Sequence, residues 1–222
     1  MTKRHVTPAV FAICSVLLLF SFVPEARAFD EPSFLARRIR PVVVKGGTVD
    51  RVLGTLSSDY GIPIGIELGD EKHNPLRKID LNLPETTVKD FLDAVVAKDP
   101  RYTWKLEGGV IHFRPSTARD ALLTTLLDTK ISHFAFAEGS TSYGIFSDIL
   151  QLPEVGSKLV VADVAHISII IGSMQRVGKG VPFEESNLTM RELLDRIILK
   201  TDIKHWVLMR WGKNGEYITL RS

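Results

Sequence analysis

Cysteine is almost absent. Cys14 is the single one among 222 residues, and it lies inside an N-terminal apolar run. Disulfides, thiolate metal sites and cysteine nucleophiles are thereby excluded from the rest of the chain. Stability must come from a hydrophobic core, which about 180 residues can supply. Net charge is lacking too: taking Lys3, Arg4 and Arg27 from the 28 basic residues and Glu25 from the 26 acidic ones leaves 25 of each beyond residue 28. Without excess positive charge the electrostatic attraction that dominates nucleic-acid affinity is missing, so no nucleic-acid partner is expected. His73, His112, His133, His166 and His205 stand at least 21 residues apart, with no H-E-x-x-H and no i, i+4 pair. No metal site is expected from that scatter, and Asp70, Glu71 and His73 read as a solvated loop. Neither G-x-S-x-G nor G-x-x-x-x-G-K-[ST] occurs; Gly139-Ser140-Thr141-Ser142 suits a capped helix start, and Gly178-Lys179-Gly180 lacks the phosphate-loop frame. No catalytic residue, no cofactor and no enzymatic activity are expected.

At the N-terminus, Lys3 and Arg4 precede an uncharged run from Ala9 to Val23, and Ala26-Arg27-Ala28 places small residues where a signal peptidase reads. The run of 15 residues would rise only ~22 Å as a helix, short of the about 20 apolar residues that span a bilayer. A signal peptide over residues 1–28, cleaved after Ala28, is expected. The mature protein is then periplasmic or secreted, with no permanent membrane anchor.

Residues 29–40 read as a solvated arm carrying Arg37, Arg38 and Arg40. Beyond it the chain alternates β-rich runs with helical periodicity. Val42 to Val44 predict a strand, Gly46-Gly47 a turn, and Thr48 caps a helix with Val49, Val52, Leu53 and Leu56 on one face, closed by Gly61. Ile62 to Leu68 is a second strand in which Pro63 marks an edge position or the first residues. Ile79 to Leu83 alternates strictly. Val88, Phe91, Leu92, Val95 and Val96 form a helical core stripe. Arg101–Glu107 and Val110–Arg114, joined by Gly108-Gly109, predict a hairpin with Leu106 opposite Ile111 and Trp104 opposite Phe113. Those four share one face; Lys105, Glu107 and His112 share the other.

An internal repeat appears at an offset of 102 residues: Thr87 to Trp104 aligns without a gap with Thr189 to Trp206, with five of 18 positions identical, namely Thr87/Thr189, Leu92/Leu194, Asp93/Asp195, Lys98/Lys200 and Trp104/Trp206. Met190, Leu193, Leu194, Ile197 and Ile198 reproduce the apolar stripe. Thr189 with Glu192 predicts a capping box, and Asn187-Leu188-Thr189 reads as staple and cap. Asp90/Asp93 and Glu184/Glu185 need no catalytic role beside such caps. Earlier in the second half, Asp128 to Phe136 predicts a strand, Ser140 to Leu150 a helix with Tyr143, Phe146, Ile149 and Leu150 inward, and Lys158 to Ile171 one or two strands. The expected fold is α+β, two related small units, each a short mixed or antiparallel sheet with amphipathic helices in a βαββαββ-like order. The units cover residues 41–115 and 116–222, with the repeated helix and hairpin at 187–222.

Taken in order, the stretch Tyr60-Gly-Ile-Pro-Ile-Gly-Ile66, the strand Lys78-Ile-Asp-Leu-Asn-Leu83, the helix Thr87-Val-Lys-Asp-Phe-Leu-Asp-Ala-Val95 and the hairpin from Tyr102 to Pro115 resemble the short domain at the N-terminus of secretins and TonB-dependent transducers. The resemblance covers residues 42–115 closely and 181–222 loosely, and is nearest to small exported bacterial proteins that carry such a module alone. It implies a periplasmic protein-interaction or assembly module. No barrel or pore segment follows, and the second unit shows no clear opening strands.

In the second hairpin, Val207, Met209, Ile218 and Leu220 are expected on one face and Trp206 and Leu208 on the other, so both faces must be covered. Two accounts stay open: the other unit or the C-terminal edge packs there, or Trp206, Leu208, Trp211 and Tyr217 form a partner-binding patch, with the terminal strand as an edge for strand addition. The expected partner is an envelope protein or a second copy of the chain. The alternative is a small-ligand or cell-wall-fragment binder using a cleft between the units.

Overall fold

A computed structural model describes residues 34–69, 77–117, 120–162, 164, 166–168, 177, 182–212 and 216–222. The expected leader, the Asp70/Glu71/His73 loop and Gly178 to Gly180 lie outside them. The first unit runs β1 (Arg38–Ile39), β2 (Val42–Thr48), α1 (Val49–Tyr60), β3 (Ile64–Leu68), β4 (Lys78–Leu83), β5 (Thr86–Thr87), α2 (Val88–Lys98), β6 (Tyr102–Glu107) and β7 (Val110–Pro115). After a linking helix α3 (Ala121–Leu127), the second runs β8 (Lys130–Phe136), α4 (Ser142–Gln151), α5 (Pro153–Val161), β9 (His166–Ser168), β10 (Phe183–Thr189), α6 (Met190–Lys200), β11 (His205–Trp211) and β12 (Tyr217–Arg221). The fold is α+β.

The strand pairings repeat. β2 pairs antiparallel with β4 as β8 does with β10; β6 pairs antiparallel with β7 as β11 does with β12; β3 runs parallel to β7 as β9 does to β12. At the start of α2 and of α6 the same main-chain bond forms, Val88 N–H to Arg37 O at 3.0 Å and Met190 N–H to Thr129 O at 2.9 Å. The opening strands of the second unit are β8, within the strand expected over Asp128 to Phe136, and β9. Residues 34–40 are no solvated arm: β1 pairs with β5, and Phe34 and Ile39 are buried. Gly46-Gly47 is a bulge within β2, where the register shifts against β4, and Gly46 has φ 61° and donates its N–H to Asp80 Oδ1.

The two three-stranded sheets join edge to edge into one sheet of six, in the order β6-β7-β3-β11-β12-β9, through a parallel β3·β11 ladder from Ile64/His205 to Leu68/Met209. Pro63 therefore precedes a central strand whose five residues are all buried. Strand order is kept between the halves while strand direction reverses. The units are thus related by a half-turn about an axis across the strands, which places their helices on opposite faces. Two cores result. Ile64, Ile66, Ile111 and Phe113 face the first, beneath α1 and α2; Trp206, Leu208, Ile218 and Leu220 face the second, beneath α4 and α6. Ile218 and Leu220 thus share a face with Trp206, contrary to the expected split, because Leu208 stands opposite Leu220.

Local chemistry accounts for most boundaries. Thr87 accepts from Asp90 N–H, and Thr189 with Glu192 closes a full capping box. Thr141 caps α4 through Gly144 N–H. Gly61 ends α1 in the left-handed region. Lys158 to Val161, expected as strand, is helical: Pro153 opens α5, and Val155 and Leu159, four apart, both point into the second core. Tyr143 is exposed and Ile145 takes the inward place. Leu92 and Leu194 are fully buried, so Leu92→Ala and Leu194→Ala should each cost ~2–5 kcal/mol in urea unfolding. A loss below about 0.5 kcal/mol for either would contradict the core assignment.

Candidate interaction site

Trp206 and Leu208 are fully buried, so the aromatic patch expected from the sequence does not exist at those positions. The helices α4 and α6 of their own unit cover that face, while the first unit flanks β11 with β3 and covers Val207 and Met209 on the opposite face. The indole of Trp206 lies across Gly65 of β3, where a Cβ would stand 2.4 Å from its Cζ2. Trp206 Nε1–H donates to Asp195 Oδ1 at 3.0 Å, as Trp104 does to Asp93 at 2.9 Å, which explains why these residue pairs are identical in the repeat. The two tryptophans differ in burial because β6 is an edge strand among the described residues and β11 is central. Trp211 and Tyr217 are half-buried and stack on each other, ring centroids 4.2 Å apart, on the face opposite Trp206. β12 is paired on both sides and offers no edge for strand addition. On β6, Thr103 and Lys105 are exposed, and a lysine on an outer strand discourages pairing with another chain.

Among the described residues the seam between units carries two ion pairs, Glu67 with Arg191 and Asp50 with Arg221, and a contact of His112 Nε2 with Asp195 Oδ2 at 3.3 Å. Each joins a residue of the first unit to one of the second, and Glu67, Asp50 and His112 are all buried. His205 faces Gly54 of α1, whose missing side chain leaves room for the ring. Burial, reinforced by the Arg221 guanidinium and opposed by Asp50, pushes its imidazole down to about 4. His133 is exposed beside Ser186, and His166 lies in β9. Among the described residues no group of three His, Cys, Asp or Glu side chains converges as a metal site.

Three cavities lined by described residues each lie within one half of the molecule. One, of about 810 Å³, is a groove in the first unit between α1 and the outer edge of β2. Val42, Val44, Val52 and Leu56 line its wall; Arg37, Arg40 and Arg51 rim it, with Asp59 the single acid in its lining. Val43 beside it is 67% exposed. Arg37 reaches the α1 C-terminus through Tyr60 O, and no acid among the described residues pairs with Arg40 or Arg51. Arg37 and Arg40 are exposed, but the groove they rim is not legible as a motif in the sequence, because its walls come from separate elements. Its sequence signal was a length difference: Thr48 to Thr87 is shorter than Thr141 to Thr189, because the first unit has no counterpart of α5.

No protein-family model, no curated protein and no solved structure matches this chain.

Two predictions concern the seam. Arg191→Met, which strands Glu67 in the interior, should cost about 3–5 kcal/mol, and adding Glu67→Leu should recover part of the loss; a cycle in urea with no coupling would refute the pair. Because the folded imidazole of His205 resists protonation, the unfolded chain binds a proton that the fold does not accept as pH falls below about 6.5. The stability present above that pH should decline by about 2–3 kcal/mol on approaching pH 4, and His205→Gln should remove this share of the slope in urea titrations at stepped pH.

Proposed function

We propose that this chain is an exported periplasmic protein-interaction module, similar in role to the short N-terminal domains of secretins and TonB-dependent transducers. The groove of the first unit carries this reading: an apolar wall with a basic rim, held on a rigid double unit whose seam is buried and bonded. The order strand, helix, two strands, helix, two strands supports the resemblance, since the same arrangement recurs in both halves. The chain acts by presenting this surface to another protein. The second half serves as a brace, covering one face of the first unit's hairpin and pairing with β3.

A second reading, a small-ligand binder, draws on the cavity volume, which falls in the range of about 300–1,000 Å³ usual for such sites. Its site would then be the first-unit groove.

Export and contact are tested together. Periplasmic extracts should contain a mature form beginning at Phe29, found by N-terminal sequencing, and a photo-crosslinking residue at surface positions of that form should yield a discrete protein adduct. Retention in the cytoplasm with an intact leader, or a tightly held metabolite and no protein adduct, would sink the proposal.

A further inference from the structure

The two units differ at one place in a way that identifies an occupant. Arg38 stands opposite Thr87, and Lys130 opposite Thr189, so Arg40 and Ser132 are counterparts, two residues on along the opening strand. In each unit this main-chain N–H is taken by a residue at or just beyond the end of the first helix: Arg40 N–H donates to Tyr60 Oη at 2.9 Å, and Ser132 N–H to Glu154 Oε1 at 3.2 Å. Glu154 belongs to α5, so in the second unit a nine-residue helix packs on α3 and α4, reaches β8 through that carboxylate and buries Val155 and Leu159. In the first unit the chain turns at Gly61 straight into β3, and the groove described above occupies the corresponding place.

We infer that the first-unit groove docks a short amphipathic helix of a protein partner, its apolar residues at i and i+4 on the valine and leucine wall and its carboxylates against Arg37, Arg40 and Arg51. This rests on the protein-interaction reading and names the class of partner. Three observations favour a helix with acidic flanks. Its counterpart in the second unit is a helix anchored by a glutamate. Added strands are disfavoured along β2, because the Arg40 N–H is already bonded, Pro41 has none, and the ladder is bulged between Val44 and Gly47. The rim sets three guanidinium groups against the lone carboxylate of Asp59, and helix-in-groove recognition pairs an apolar stripe with charge complementarity at the edges.

The test uses the mature full chain and two helix-stapled, fluorescently labelled peptides that share one apolar stripe and differ in a glutamate or a lysine polar face. The glutamate peptide should bind, and Arg40→Glu with Arg51→Glu should weaken it about tenfold or more. The lysine peptide should bind the wild type poorly and the charge-reversed variant better. Both arginines are exposed, so thermal melts should show the variant folded. Equal binding of both peptides, binding of neither, or indifference to the charge reversal would overturn the inference, as would dimerisation of the mature chain through the groove. A photo-crosslinker at Thr55 in the groove and another at Lys105 on β6 separate the two levels in cells. An adduct at Thr55 that the glutamate peptide displaces supports the docking site. Adducts at Lys105 alone overturn it and leave the interaction reading intact; adducts at neither position count against both.

Discussion

Trp206 lies with its indole against the backbone of Gly65, while the preceding residue, His205, fills the space that Gly54 leaves open on α1. These two neighbours on β11 point to opposite faces of the sheet, and each meets a glycine of the other unit. The parallel β3·β11 ladder brings the backbones within hydrogen-bonding distance, and only a residue without a Cβ lets so large a ring lie across a strand at that spacing. The rest follows from this join. It makes β11 a central strand, divides the residues of that strand between two cores, and buries the charges of the seam.

A duplicated unit that joins head to tail leaves its copies in unequal surroundings. Trp104 and Trp206 make the same hydrogen bond to equivalent aspartates, Asp93 and Asp195, on the preceding helix, yet the first stands at an edge and the second in the interior. Their bond is set within a unit and their exposure by the neighbour. The same inequality governs the flanks of the first helices: α5 packs beside α4, and the groove beside α1 is rimmed by arginines. An arrangement in which the second copy completes itself and braces the first suits a protein that presents a single surface.

Legibility followed the range of the interactions involved. The stripes of α2 and α6, the Thr87 and Thr189 caps and the Gly108-Gly109 hairpin depend on residues a few positions apart, and they were readable directly. The register of the first hairpin came with its turn, since a two-residue loop leaves little freedom in pairing. The helix α5 was misread because a short β-branched run carries no period long enough to separate helix from strand. Residues 34–40 were misread because their partner, β5, lies far along the chain. The groove could not be read at all: Arg40 and Arg51 approach one another only once β2 and α1 have packed.

By itself the sequence determined the α+β class, the repeat, the stripes that become core and the need to cover both faces of the second hairpin, because each is a matter of local spacing and of where apolar side chains fall. Tertiary structure alone decided what does the covering, which edges pair, which histidines are buried and which groove stays open. Those outcomes depend on backbones meeting across long separations, where a glycine opposite a tryptophan counts for more than any pattern along the chain.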